Sequence, residues 1–164
     1  MARLFFDTNV LLDYAMGRNP GCEAFVGLAK LARDNGHTMH VASESLKDCH
    51  YVICSSLKAA NHTPEGAVPE GATAAATEIA WAQLDSLMGL IHVEPVGHDE
   101  CLLARSYRAL HNGFEDSLVL ATAHLSKADY LVSGDEKLQK HAPIACLSPT
   151  DMLTLLSGSF TQGS

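Results

Sequence analysis

Arg3-Leu4-Phe5-Phe6-Asp7-Thr8-Asn9-Val10-Leu11-Leu12-Asp13 decides how this chain is read. Arg3 to Phe6 are short and apolar on both faces, as expected of a strand buried in a parallel sheet. Asp7 ends the apolar run. Val10, Leu11 and Tyr14 then share one helical face, until Gly17 and Pro20 close the segment. A buried strand that passes through a carboxylate into a helix is the opening of a βα unit. In open sheets built from such units, ligands bind beyond the carboxyl ends of the strands.

The rest of the chain repeats that alternation. Pro20 opens a second helix with Phe25, Leu28, Ala29 and Ala32 on one stripe, stopped by Asn35-Gly36. Thr38 to Ala42 form a second strand. Ser43 is expected to cap a third helix with Leu46, Ile53 and Leu57 inside. Asn61 to Gly71, with two prolines and two glycines, read as a loop. Thr73 to Leu87 form a helix around Ile79, Trp81, Leu84 and Leu87, and Leu90 to Val93 a third strand. A helix from His98 runs through Leu103, Tyr107 and Leu110 to a stop at Asn112-Gly113, and another covers Glu115 to Ser126. Asp129 to Val132 are the fourth strand and Pro143 to Leu147 a weak fifth. Pro149 starts a last helix through Leu153 and Leu156. Strands alternating with helices imply a three-layer α/β/α fold with a mostly parallel central sheet of about five strands. Residues 1–157 are expected to form a single domain and residues 158–164 a disordered tail.

A chain of 164 residues suits one domain with a proper core. No apolar run approaches the roughly 18 residues of a membrane span, and the N-terminus reads as a strand, so a cytoplasmic protein is expected. The five cysteines are odd in number and lack C-x-x-C spacing, which fits reduced thiols. A formal charge of −8 opposes a nucleic-acid clamp built on a broad basic face. It leaves room for an enzyme that meets phosphate through bound metal.

Four acids stand where this topology would gather them. Asp7 and Asp135 follow strands. Asp48 lies on the helix after the second strand, and Asp116 opens a later helix. Each has an ordinary alternative. Asp7 and Asp135 suit helix caps or turns, Asp116 suits a helix dipole, and Asp48 could face water. Together they describe a carboxylate cage. Four ionised carboxylates about 6 Å apart repel by roughly 3 kcal/mol per pair at an effective dielectric of about 20, on the order of 15 kcal/mol in all. Such a site binds cations, takes up protons or relaxes apart. A hard divalent cation such as Mg²⁺ or Mn²⁺ is the response that gives function, and it points to phosphodiester chemistry.

Weaker candidates surround these four. Asn9 is placed to hold a water or bond a helix start. Glu44, four residues before Asp48, shares its helical face. Ser133 is placed to donate to a ligand carboxylate, and Arg18 to meet a phosphate. Glu115 and Glu136 are expected to face solvent. The nine histidines show no zinc spacing. A haloacid-dehalogenase-type phosphatase would want an acid where Asn9 stands, and a receiver-type phosphoacceptor an acid beside Asp7.

Several motifs resemble those of the PIN domain family, in particular its VapC-type toxins. They are Phe5-Phe6-Asp7-Thr8-Asn9-Val10-Leu11-Leu12-Asp13, Ser45-Leu46-Lys47-Asp48 with Tyr51-Val52-Ile53, Phe114-Glu115-Asp116-Ser117-Leu118 and Asp129-Tyr130-Leu131-Val132-Ser133-Gly134-Asp135. The similarity spans Leu4 to about Asp151. It implies a metal-dependent endoribonuclease acting on RNA, with Asp7, Asp48 and Asp116 as metal ligands and Asp135 binding a second ion or orienting water. It also implies a homodimer, and a small antitoxin whose C-terminal segment occupies the site. The competing reading is a PIN-like RNA- or protein-binding module without catalysis.

Overall fold

The strand that opens the chain, β1 (Arg3–Phe6), lies at the centre of the sheet. In the computed structural model, which describes residues 1–64, 66–110 and 113–158, it is flanked by β2 (Thr38–Ala42) and β4 (Tyr130–Val132). Outside these lie β3 (His92–Glu94) and β5 (Cys146–Leu147). The order is β3-β2-β1-β4-β5, and every pairing is parallel. Eight α-helices complete the described residues: α1 (Thr8–Ala15), α2 (Gly21–Asn35), α3 (Ser43–Ala60), α4 (Ala72–Met88), α5 (His98–Ser106), α6 (Phe114–Leu125), α7 (Glu136–His141) and α8 (Pro149–Gly158).

Alternation along β1 builds both cores. Leu4 and Phe6 point to one face, where Val10 and Leu11 of α1, Phe25 and Leu28 of α2, Ile53 of α3, Leu84 of α4 and Met152 of α8 cover them. Phe5 points to the other, with Ala104 of α5, Val119 and Leu120 of α6, Leu131 of β4 and Leu138 of α7. All three β1 side chains are fully buried. This is the expected three-layer α/β/α arrangement, with the sheet parallel throughout.

Several boundaries depart from the sequence reading. Ser43 is the first residue of α3, not its cap; Ala42 holds the cap position, and no side chain bonds there. The chain passes straight from β2 into α3, and Ser45 instead accepts a hydrogen bond from the Thr8 hydroxyl (2.9 Å). The buried face of α4 is Ala76, Ala80, Leu84 and Leu87, while Ile79 and Trp81 are about half exposed. Small residues let α4 pack closely on α3, and Trp81 meets His50 edge-on across that contact. β3 starts two residues late because the Leu90 and Ile91 amides still bond Leu87 O at the end of α4. α5 ends at Ser106, whose hydroxyl bonds Leu103 O at 2.6 Å, and a 3-10 turn follows over Tyr107–Ala109. The expected stop at Asn112 lies outside the described residues. α7 was not expected at all. Gly158 is the last residue of α8, and the rest of the expected tail, 159–164, lies outside the described residues.

Among the described residues, no helix is long and apolar enough to cross a membrane.

Candidate active site

Asp7 leaves the C-terminal end of β1 and becomes the N-cap of α1, with extended backbone (φ −76°, ψ 153°). Its amide bonds Val132 O of β4 (3.0 Å), so the carboxylate stands where two central strands end together. It is only 4% exposed. Oδ1 accepts from the Thr8 amide (2.7 Å). Oδ2 accepts from Asn9 Nδ2 (2.7 Å) and from the Ser133 hydroxyl (2.6 Å). Three donors fix its orientation.

The segment after β4 is tied to the same point. Ser133 is fully buried, and its Oγ also accepts the Asp135 amide (3.0 Å). Asn9 Oδ1 accepts the Gly134 amide (3.1 Å). Gly134 thereby sits close to Asn9, and a Cβ there would lie 3.5 Å from Asn9 Oδ1. Asp135 caps α7 through the Lys137 amide (2.7 Å). Asn9 and Ser133 therefore position Asp7, and Asp135 enters as a cap at the same sheet edge.

Asp48 and Asp116 approach from the helices. Asp48 lies one turn into α3, beside Lys47, whose ammonium is 3.6 Å from Asp48 Oδ1 and 2.8 Å from Glu44 Oε2. Asp116 is half-buried in the first turn of α6. Glu115, next to it, lies within reach of Asp48, so the two can bond only when one carboxyl is protonated. It was expected to face solvent; it is exposed, yet it links α6 to α3. The available signal was its place in a helix start beside a candidate ligand.

The charges act on one another. Burial pushes the Asp7 carboxyl up to about 6, with a further upward push from the charges of Asp116 and Glu115; the Ser133 and Thr8 hydrogen bonds oppose this. Partial burial, then the charge of Asp48, raises Glu115. Burial, then Asp48 and Asp7, pushes the Cys49 thiol up to about 12. Burial, then Asp7 and Asp135, does the same at Cys146, also to about 12. Neither thiol is a nucleophile at neutral pH. All four predicted acids thus sit at one end of the sheet and share one electrostatic field.

They do not form a closed cage. Among the described residues, no group of three or more His, Cys, Asp or Glu side chains is arranged to hold a metal ion. Asp7 already accepts three internal hydrogen bonds. The donor set still suits a hard cation: oxygen ligands, and a buried carboxyl whose raised pKa a cation would reverse. Arg18 is not part of the group. It lies past the far end of α1, roughly 12 Å of helix from Asp7, and faces Asp13 at 3.9 Å. Glu44 lines a cleft with Asp48 and Glu115 beside the acids.

A parallel α/β/α domain with acids from four segments collected at its carboxyl edge is the layout of an acidic nuclease-type domain. The chain belongs to the PIN domain family, whose family model matches residues 3–137. That family comprises nucleases. Among solved structures, the chain is similar to VapBC2 from Rickettsia felis bound to a promoter DNA fragment, at 15% identity and a TM-score of 0.65, covering 89% of this chain and 98% of that one. It is similar to DNA-bound VapBC from Salmonella typhimurium (16%, TM-score 0.65, 91% and 99% covered). A toxin–antitoxin complex from Klebsiella pneumoniae is a third (16%, TM-score 0.59, 89% and 97% covered). At these identities the likeness is one of fold. No curated protein matches the chain.

Proposed function

We propose that this protein is an Mg²⁺- or Mn²⁺-dependent endoribonuclease that hydrolyses RNA phosphodiester bonds, and that it is the toxin of a type II toxin–antitoxin pair. The observation that carries the reading is Asp7: a carboxylate raised by burial and then by the charges of Asp116 and Glu115, and held by Asn9 and Ser133 at the carboxyl edge of a PIN fold.

Asp7, Asp48 and Asp116 would hold the cation, and Asp135 would hold a second one or orient water. When bound, a divalent ion supplies Lewis-acid stabilisation to the phosphoryl group. The chain supplies the rest. Asn9 and Ser133 lock the Asp7 side chain, so no rotamer search accompanies ligation. Lys47 offsets Glu44 and Asp48, which lowers the repulsion an approaching phosphate meets. The toxin–antitoxin complexes among the similar structures support a small antitoxin as partner. Homodimerisation and a cytoplasmic location complete the proposal.

The test is cleavage. Purified protein should cut RNA with Mg²⁺ or Mn²⁺, and Asp7→Asn should abolish cutting while the fold survives. RNA left intact under both metals, with no Mn²⁺ binding by calorimetry at millimolar metal, would instead establish the non-catalytic binding module.

A further inference from the structure

On one side the sheet ends at β3, whose only strand neighbour is β2. The Thr38 amide bonds Ala2 O on the β1 side (2.9 Å), so the alternating amides of Met39 and Val41 turn toward β3. Val41 stands opposite Val93. In a parallel ladder Val41 then bonds His92 and Glu94, and the amide and carbonyl of Val93 face outward. Among the described residues nothing bonds them. Apolar surface runs along the same edge: Met88, Leu90 and Val93 are 43%, 45% and 41% exposed. Scattered apolar residues need no explanation, but a run of them beside an open strand is a pairing surface.

The geometry points to this edge as the surface on which a second copy of the chain docks, β3 against β3, antiparallel about a two-fold axis through Val93. The homodimer of the proposed function supplies the second copy, and the pairing rests on it. Under that symmetry the strand is its own complement. Val93 exchanges both main-chain bonds with the partner's Val93. On either side His92 meets the partner's Glu94, at the non-hydrogen-bonded positions where side chains come closest. Both side chains are already held on one face of the sheet. Glu94 Oε1 accepts from Arg3 (3.1 Å) and from His40 Nδ1 (2.6 Å), and among the described residues Oε2 has no donor. His92 stacks on His40, with ring centroids 5.1 Å apart. An imidazole carries at least one N–H in either tautomer, so His92 can donate to that oxygen. A preset donor and a preset acceptor lose little freedom on pairing. The ladder also has built-in ends. The Ile91 amide is taken by Leu87 O (3.0 Å), and Pro95 has no amide. Main-chain pairing is thereby confined to Val93, which suits a closed dimer and not a growing sheet. A foreign strand would meet the same Val93 but would have to bring its own acid and donor at the same spacing.

The test is self-association of the whole chain in EDTA, by sedimentation velocity from about 1 to about 200 µM, with hydrogen exchange at the Val93 amide. So small an interface implies a dissociation constant of about 10–100 µM. The chain should pass from monomer to dimer over that range, and the Val93 amide should exchange about tenfold more slowly in the dimer. Val93→Lys sets two ammonium groups against each other across the axis and should weaken association by about 100-fold or more. Circular dichroism checks that this variant folds. His92→Glu and His92→Lys, at an exposed position, both lose the stack on His40 and differ in charge, so their difference reads the two cross-strand contacts. The Glu variant should associate about tenfold more weakly, and the Lys variant within about threefold of the unaltered chain. A chain that stays monomeric throughout overturns the inference. A dimer that ignores Val93→Lys and both His92 variants also overturns it, and leaves the homodimer on another face. Growth past the dimer with concentration overturns the closed pair. RNA cleavage is assayed on separate aliquots. Cleavage by a chain that is monomeric or dimerises elsewhere sinks the β3 pairing alone, and a Val93-centred dimer that never cuts RNA sinks the nuclease reading alone.

Discussion

Asp7→Asn has a consequence for stability that is opposite to the usual effect of altering a buried residue. In the fold the Asp7 carboxyl is raised from 3.8 to about 6, mainly by burial and then by Asp116 and Glu115. A displacement of that size is worth about 3 kcal/mol between the two protonation states. The sign follows from the direction. The raised carboxyl contributes its stability in full below about pH 4, where both folded and unfolded chains are protonated. That contribution is lost as pH rises through about 6, because the unfolded chain ionises more easily. At pH 8 the metal-free protein therefore holds a buried charge at a cost of about 3 kcal/mol. Asparagine removes the charge. Its Oδ1 can still accept from the Thr8 amide, but its amide nitrogen now faces Asn9 Nδ2, a mismatch that costs about 1 kcal/mol. The net expectation is a gain of about 2 kcal/mol at pH 8 and a small loss at pH 4. At about 2–4 °C per kcal/mol, the midpoint should rise by about 5 °C at pH 8. Thermal and urea unfolding in EDTA at pH 4, 6 and 8 measures this directly. Saturating Mn²⁺ should then reverse the order, since only the unaltered site gains binding energy. The reasoning is refuted if Asp7→Asn shifts stability by the same amount at pH 4 and pH 8.

Three further outcomes are expected. Ser133→Ala removes a donor from Asp7 and an acceptor from the Asp135 amide; it should cost about 1–3 kcal/mol and push the Asp7 carboxyl further up, visible as a later carboxyl titration by NMR. Iodoacetamide at pH 8 should label exposed Cys101 and spare Cys49 and Cys146, whose thiols are held near 12; mass spectrometry reads the sites. Arg18→Ala should leave RNA cleavage within about twofold, because an exposed ion pair with Asp13 contributes little and lies away from the acids; a loss beyond tenfold would bring Arg18 back to the phosphate.

The parts of the fold that were legible in the chain are those where burial and periodicity agree. β1 is apolar on both faces because both faces are covered, and α2 ends at Gly36 because that residue takes a left-handed conformation (φ 71°). α7 was illegible for the opposite reason. Its six residues bury only Leu138, and what starts it is the Asp135 cap, a local bond that hydrophobic pattern does not register. The inner face of α4 was misjudged because large residues attract attention, whereas Ala76 and Ala80 are buried through their smallness. At the site, the common edge of the four acids followed from topology. The spacing of their oxygens did not, since it depends on side-chain rotation and on charge, and no sequence pattern records either. Glu115 was missed because its partner, Asp48, is distant in the chain.

The bonds that run Asp7–Asn9–Gly134 and Asp7–Ser133–Asp135 stitch the ends of β1 and β4 into one rigid piece. Asp48 and Asp116 come to the same edge from α3 and α6, and the charge of Asp116 adds to burial in raising the Asp7 carboxyl. The oxygens of Asp7 are therefore set in place by the fold itself, so whatever meets them finds its first partner already aimed.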